Sequence, residues 1–567
     1  MLNLKQALAA DIAEGFSGAQ DAGVLGKPAQ AVAVVVKRTD NPEHGDYASS
    51  IALSLTRELK KPPLDIVAAI AQYMPKKEYI GKIDAAAPGF LNIRINPGWY
   101  QARLDDIIED PSSLDIAIGS GKKINLEFIS ANPTGPLTLG NARTAFSVDT
   151  LGNVLTAAGF NVTREYYIND AGAQIKRLGE AVLRRILQAQ GETVDFPPEM
   201  YQGEYIKEVA THVAEYWREN EGKEFELTDL QEPKVLTIVS EHAMQYLLAN
   251  IKTMISEDLK ISFDVWASEA ALRQSGKIEA VLEQLRASGH TYKKETAEYL
   301  KTTAFGDSED RILVKSDGEY AYIAPDIAYH HEKFERQFDE MFTFVGADHE
   351  GHRPKLIAAM QALGHDTKKL HIIAAQWMRF ISGGKPVKLS KRAGMVVTPR
   401  ELIDEVGYDA ARFFMVQHAL TTHLDFDLDL ARDRSERNPV YYVQYAYVRL
   451  QSIIRRAKEE GLLGAVGETI PLTSRSQLTL TGEVNLMREI YRLPEVIMEI
   501  ARNYEVQGLA YYALDVARAV HSFYKNVPVL NADDKTTVAA RLQLVLASRK
   551  VVAEILDLLG ISKPEVM

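Results

Sequence analysis

The sequence predicts an α/β protein in three parts: a mixed α+β region, a parallel-sheet region with an insertion, and an all-helical C-terminal region. Three observations carry this. From Lys122 the chain alternates strand, loop and helix: Ile124 to Ile129 as strand, a helix from near Leu139, then NVTREYYI as strand, NDAG as turn and AQIKRLGEAVLRRILQAQ as helix. Such alternation implies parallel strands with crossover helices. From Arg434 onward the pattern is almost entirely helical. Before residue 110 or so, helical and strand-like runs mix, with LDIVAAIAQYM (Leu64 to Met74) as helix and GFLNIRI (Gly89 to Ile95) as strand. The polar run Glu109-Asp110-Pro111-Ser112-Ser113 reads as a linker. The predicted parts are therefore 1–112, 113–430 and 431–567. Residues 190 to about 300 are charged and helix-rich, and read as an insertion between the halves of the sheet. Alternation then resumes through EYAYIAP, MFTFVGAD and HIIAAQWMRF.

Composition excludes several function classes. The 567 residues hold no cysteine, which removes disulfides, thiolate nucleophiles and Cys-based zinc sites. No run approaches the eighteen or so apolar residues of a membrane span. The first twenty residues carry Lys5, Asp11 and Glu14 and no long apolar stretch, so no signal peptide is expected. A cytoplasmic protein fits both facts. The net charge of −12 argues against a uniformly basic coat but leaves room for local basic patches on RNA.

The stretch Glu127 to Arg143, EFISANPTGPLTLGNAR, joins a strand to a helix start through a loop bearing Asn132, Pro133, Gly135 and Pro136. Unpaired backbone N–H groups and the positive end of the helix dipole suit phosphate there. Gly140 lets a nucleotide approach the backbone closely. Far downstream, Lys388-Leu389-Ser390-Lys391-Arg392 lies between Gly383-Gly384 and Gly394. From Gln376 to Arg400 there are six Lys or Arg and no Asp or Glu. Two lysines three apart in a glycine-flanked loop suit a polyphosphate whose charge grows during reaction. In the C-terminal region Tyr442, Arg449 and Arg456 recur every seven residues and share a helix face. That face reads as solvated surface or as a stacking surface for unpaired bases.

Three other patterns are set aside. Gly119-Ser120-Gly121-Lys122-Lys123 precedes its strand instead of following it, so it is not a phosphate loop. The Asp425-x-Asp427-x-Asp429 run has Leu430 where a calcium loop needs glycine. His349 and His352 lack an obvious third ligand, and read better as part of a nucleotide-contact loop.

Together, TLGN (Thr138 to Asn141) and KLSK (Lys388 to Lys391) resemble the paired signatures of class I aminoacyl-tRNA synthetases. REYYINDAGAQI, FDVWASEAAL, YAYIAPDIAYH, VGADHEGH, GYDAARFF, NPVYYVQYAYVRL, FYKNVPVL and the terminal LLGISKPEVM all look like the arginyl-tRNA synthetase family. HGDYASSIAL and AAAPGFLNIRI resemble its extra N-terminal domain. The resemblance runs through the whole chain in order. It implies a Rossmann-type catalytic domain, an α+β N-terminal domain that contacts tRNA, and an α-helical anticodon-binding domain. It implies ATP-dependent activation of L-arginine to arginyl-adenylate, then transfer to the 3′-terminal ribose of tRNA(Arg). Magnesium would accompany ATP, with no tightly bound cofactor and no structural zinc. The partners implied are tRNA(Arg), L-arginine and ATP, with no membrane, no DNA and a monomeric state.

By the same resemblance, Glu269 and Asp326 would meet the guanidinium of arginine, with Tyr322 donating or packing one turn before Asp326. Ser130 and Asn132 would hold the α-amino end, with Glu127 in support. Thr138, Asn141, Lys388 and Lys391 take the catalytic positions. Pro136, Leu139, Gly140, Gly346, Asp348, His349, Met378 and Ser390 take those of ATP binding. Tyr442, Arg449, Tyr524 and Met567 would face tRNA. One departure stands out: Thr138 occupies the place of the family's first signature histidine. A hydroxyl is shorter than an imidazole and carries no positive charge. Loss of one transition-state donor costs on the order of a hundredfold in rate. The alternative reading is thus a tRNA-binding relative with weak or lost activation. A synthetase for another amino acid is disfavoured by the two acidic candidates and the two terminal domains.

Overall fold

A computed structural model describes residues 3–29, 32–39, 41–109, 118–349, 351–387, 398–462, 476–532 and 534–567. The chain divides into two compact units. One takes residues 119–438 with 505–507, the other 1–118, 439–504 and 508–567.

The first of these is built on a five-stranded parallel sheet. Its order is Leu370–Ala375, Glu340–Gly346, Lys123–Glu127, Asn161–Ile168 and Val265–Ser268. Lys123–Glu127 is central, with Leu126 opposite Phe342 on one side and Arg164 on the other. Ile124, Leu126 and Phe342 are fully buried, as strands covered on both faces require. The chain adds strands first on one side of Lys123–Glu127 and later on the other. The order therefore reverses between Lys123–Glu127 and Glu340–Gly346, and ligands bind beyond the carboxyl ends of strands at such a point. Helix Leu139–Ala157 follows the central strand and is buried almost all round, from Leu139 to Leu155.

Two expectations need correction here. The segment from 190 to about 300 is not uniformly helical. Helices Tyr205–Glu221 and Pro233–Thr253 pack with Ala173–Ala189 through Leu178, Val182, Val209, Trp217 and Val239. Val265–Ser268, however, is one of the two edge strands of the main sheet, and Thr291–Lys294 and Ala297–Leu300 form an antiparallel hairpin. Four-residue strands are too short to show a period amid charged helices. EYAYIAP, expected to continue the β alternation, leads instead into helix Ile323–Glu335 with Tyr322 at its N-cap. Pro325 sits in the first turn, where its missing N–H breaks no bond.

In the other unit, an antiparallel sheet of order Val36–Arg38, Tyr47–Ser49, Phe90–Ile95 and Ile80–Ala86 packs with helices from both ends of the chain. Tyr47 donates to Glu495 Oε1 at 2.7 Å, and Arg38 pairs with Glu489 at 2.6 Å. Trp99 and Tyr100 pack on Tyr491 with ring centroids 5.6 and 5.3 Å away. The C-terminal helices are Pro439–Glu459, Thr481–Ile490, Leu493–Asn503, Gln507–Asn526 and Lys535–Leu559. Among the described residues, no helix is long and apolar enough to cross a membrane.

Candidate active site and candidate tRNA-binding face

Beyond the carboxyl end of Lys123–Glu127 the backbone turns sharply. Ile129 and Ser130 take φ of 66° and 39°. The left-handed region is a genuine outlier for a β-branched residue such as Ile129, and persists only where the surroundings over-determine it. They do so here. Tyr167 N–H donates to Ser130 Oγ at 3.1 Å, Tyr166 Oη to the Ala131 carbonyl at 2.9 Å, and Tyr205 Oη to the Thr134 carbonyl at 2.8 Å. Tyr205 comes from an insertion helix, so the insertion helps fix this loop.

The loop borders a cavity of about 900 Å³ at the switch point of the sheet. It brings together Glu127, Ser130, Asn132, Thr138, Leu139, Gly140 and Asn141 from the loop and helix start. Tyr322 and Asp326 enter from helix Ile323–Glu335, and Gly346, Asp348 and Met378 complete the set of expected residues that line it. Pro136 does not line it; it borders a separate cavity of about 400 Å³ with Tyr205 and Arg400. Glu269 does not line it either. It starts the short helix Glu269–Gln274, buried and paired with Arg273 at 2.7 Å. Asp170 sets that start, accepting from Ser268 Oγ at 2.6 Å and from the Ala270 N–H at 2.8 Å. Lys388, Ser390 and Lys391 lie outside the described residues, as does the side chain of His349.

The acidic groups divide by environment. Burial pushes the Glu127 carboxyl up, but Lys333 at 2.6 Å, His330 and Thr343 outweigh it and hold the group below its ordinary range. Asp326 shifts the other way. Burial, then the charges of Glu269 and Glu127, push it up to about 8 against the weaker pull of Lys355 and Arg273. Burial and the same acids raise the Tyr167 phenol. His330, buried beside Lys333, is pushed down to about 4 and is neutral at pH 7. At pH 7 the Asp326 carboxyl is therefore largely protonated, and a cation in contact would favour its ionised form.

At the other side of the cavity, Thr138 closes a capping box. Its Oγ1 donates to Asn141 Oδ1 at 2.8 Å and accepts from the Asn141 N–H at 3.4 Å, while its own N–H donates to Asn141 Oδ1 at 2.9 Å. Both functions of the hydroxyl are thus engaged within the cap. Two donors converge on Asn141 Oδ1, which fixes its amide so that the NH₂ group remains for a ligand. A Cβ at Gly140 would meet only Thr138 Oγ1, at 3.7 Å, so its missing side chain leaves room on the cavity side.

Residues 103–420 match the family described as tRNA synthetases class I (R), catalytic domain; residues 2–95 match the arginyl tRNA synthetase N terminal domain, and 443–567 the DALR anticodon binding domain. The chain belongs to the arginyl-tRNA synthetases. Among the curated relatives of this synthetase, the arginine–tRNA ligase of Geobacillus kaustophilus (strain HTA426) is 40% identical over 526 residues, 92% of each chain. That of Shouchella clausii (strain KSM-K16) is 38% identical over 547 residues, 96% of each. The solved Thermus thermophilus arginyl-tRNA synthetase shares the fold over the whole of both chains, with a TM-score of 0.75 at 21% identity. The synthetase is thus a class I arginine–tRNA ligase that uses ATP, arginine and tRNA. The alternative of a tRNA-binding relative without activation finds no support in these likenesses.

In the other unit of the synthetase, Tyr442 and Arg449 lie on helix Pro439–Glu459 and Tyr524 on Gln507–Asn526. Arg449 Nη1 donates to His521 Nδ1 at 2.8 Å, and His521 Nε2 donates to the Tyr442 carbonyl at 3.0 Å. Because a guanidinium only donates, the imidazole must be the Nε2–H tautomer. The same guanidinium lies over Tyr445 at 4.3 Å and Tyr524 at 5.0 Å. Gln444 ties the C-terminal segment to this helix through Ser562 at 3.0 Å, and Met567 is exposed beyond it.

Sequence reasoning missed Asp170, Lys333, Arg143 and His521. Only Arg143 carried a local signal, since it closes the GNAR run at the helix start.

Proposed function

We propose that the cavity is where arginine and ATP meet. Asp326 receives the guanidinium, Tyr322 packs beside it, and Glu269 adds negative charge to that end. Ser130 and Asn132 hold the α-amino group, with Glu127 fixing Ser130 Oγ at 3.2 Å. ATP lies over Leu139, Gly140 and Asn141 and along Gly346, Asp348 and Met378, with His349 in the same loop. Asn141 supplies the amide donor that the Thr138 hydroxyl cannot. Lys388, Ser390 and Lys391 would stabilise the leaving pyrophosphate, with Mg²⁺ carried by ATP. The arginine carboxylate attacks the α-phosphate as pyrophosphate leaves, and a terminal ribose hydroxyl of tRNA then attacks the carbonyl of the adenylate, breaking the mixed anhydride and releasing AMP. No protein nucleophile is needed; positioning and charge stabilisation carry the reaction. Tyr442, Arg449, Tyr524 and Met567 face the anticodon end of tRNA(Arg). The protein works as a cytoplasmic monomer.

The observation that carries this reading is the raised Asp326 carboxyl in the same cavity as a capped, glycine-bearing helix start. The test is aminoacylation of total tRNA with each of the twenty amino acids, using the native protein and Asp326→Asn. Arginine alone should be esterified, and the variant should need far more of it. Equal use of another amino acid, or an unchanged arginine requirement in the variant, would refute the assignment.

A further inference from the structure

Trp377 is unlike the chain's other tryptophans. Trp99 and Trp217 are buried, and Trp266 stacks on Tyr166 with centroids 4.7 Å apart. Trp377 is 64% exposed, and no aromatic ring packs on it among the described residues. Its backbone, by contrast, is held firmly. Arg143 is buried, has no carboxylate partner among the described residues, and spends its guanidinium on four carbonyls. Nη1 donates to Gln376 at 2.7 Å and Trp377 at 3.3 Å, and Nη2 to Ala419 at 2.8 Å and Thr422 at 2.7 Å. The Leu424 N–H adds a bond to the Trp377 carbonyl at 3.1 Å, and the Gln376 N–H one to Leu420 at 2.8 Å. A fixed backbone under a free indole is a preorganised aromatic surface.

The place is as informative as the ring. Trp377 lies just past the carboxyl end of edge strand Leu370–Ala375 and lines the same cavity as Gly346, Asp348 and Met378. Its charged neighbours in sequence and contact are Arg143 and Arg379, the latter paired with Asp425. The Arg143 charge beneath it disfavours a stacked guanidinium and favours a neutral base on a phosphate-bearing ligand.

We propose that Trp377 is a stacking platform for an unpaired adenine base, which both ATP and the terminal adenosine of tRNA present. This rests on the reading of the cavity as the nucleotide site. The test compares the full-length native protein with Trp377→Ala and Trp377→Phe. The readouts are KM for ATP in pyrophosphate exchange with tRNA present, KM for tRNA in aminoacylation, KM for arginine, and quenching of tryptophan fluorescence. The quenching probes are AMP, and tRNA with and without its terminal adenosine.

The alanine variant should raise KM for one adenine-bearing substrate by roughly tenfold or more, the range of a base–aromatic stack. Phenylalanine should restore most of it, arginine KM should stay within twofold, and the native quench should vanish in the phenylalanine variant. An effect on ATP with quenching by AMP assigns the nucleotide. An effect on tRNA that needs the terminal adenosine assigns the acceptor end. If the alanine variant leaves both KM values within twofold, the platform is refuted. Asp326→Asn separates the two failures. If it weakens arginine binding while Trp377→Ala changes nothing, the cavity reading stands and the platform alone falls; if neither variant has an effect, both fall.

Discussion

Arginine binding should release a proton, and the structure sets the window. Asp326 is pushed up to about 8 by burial and then by Glu269 and Glu127. An arriving guanidinium reverses this, since an opposite charge in contact favours the carboxylate. Below pH 8 the site must first lose a proton. By linkage, arginine affinity should fall roughly fivefold from pH 8 to 7 and about ninefold more from 7 to 6, then level off above pH 8. Isothermal titration in buffers of different ionisation enthalpy at pH 7 should show about 0.9 proton released per arginine bound. Asp326→Asn should abolish this release and weaken binding by about 1.5–3 kcal/mol, the loss of a charge-assisted contact. Any pH dependence left in that variant belongs to the ligand or to Lys355, Arg273, Glu269 and Glu127. Zero proton release in the native protein between pH 6.5 and 7.5, or the same pH profile in both proteins, would refute the argument.

The same carboxyl bears on stability. A folded-state pKa raised above the unfolded value of 3.8 means that ionising Asp326 opposes folding increasingly as pH rises from about 4 to about 8. Unliganded Asp326→Asn should therefore melt higher than the native protein at pH 8, with the gap closing near pH 4, as scanning calorimetry would show. Arg143→Met should remove the guanidinium from four carbonyls, of which Trp377 keeps the Leu424 N–H and Ala419 the Thr422 N–H, and lower stability by on the order of 3 kcal/mol, read by denaturant melts. Arg449→Lys should weaken tRNA binding in a filter assay nearly as much as Arg449→Ala, because an ammonium cannot stack between Tyr445 and Tyr524, while arginine and ATP affinities stay unchanged. Thr138→Ala should cost about 1 kcal/mol of helix capping and slow single-turnover adenylate formation by loosening Asn141. Thr138→Ser, which keeps the cap, should stay near native.

Much of the sheet was legible because strand-like runs, turn residues and helical runs alternate along the sequence. Lys123–Glu127, Asn161–Ile168 and helix Leu139–Ala157 lie where pattern and capping chemistry place them. Val265–Ser268 was lost among charged helices, being too short for a period to show. Long-range electrostatics was not legible at all. The shift of Asp326 depends on Glu269 and Glu127, which reach it only through the folded sheet, and the ion pair of Lys333 with Glu127 spans two elements. Arg143 could be seen at a helix start, but its carbonyl partners lie more than two hundred residues away.

Thr138 shows how a pattern can be read at two levels. Compared with an imidazole, threonine is a poorer phosphate donor, and that comparison alone suggests a weakened site. Read as local structure, Thr-Leu-Gly-Asn is a helix N-terminus: a β-branched hydroxyl at the N-cap and a side-chain acceptor three residues on. The structure realises the second reading, with Thr138 and Asn141 bonded in both directions. Asn141 then has its oxygen fixed and its amide donors left over, at the positive end of a helix dipole and on the wall of the cavity proposed for the nucleotide. A residue that stabilises the loop can therefore stand where one that touches the ligand is expected, provided its capping partner presents the donor instead. On this account the hydroxyl acts through Asn141, which makes Thr138 a positioning residue and explains why serine should replace it better than alanine.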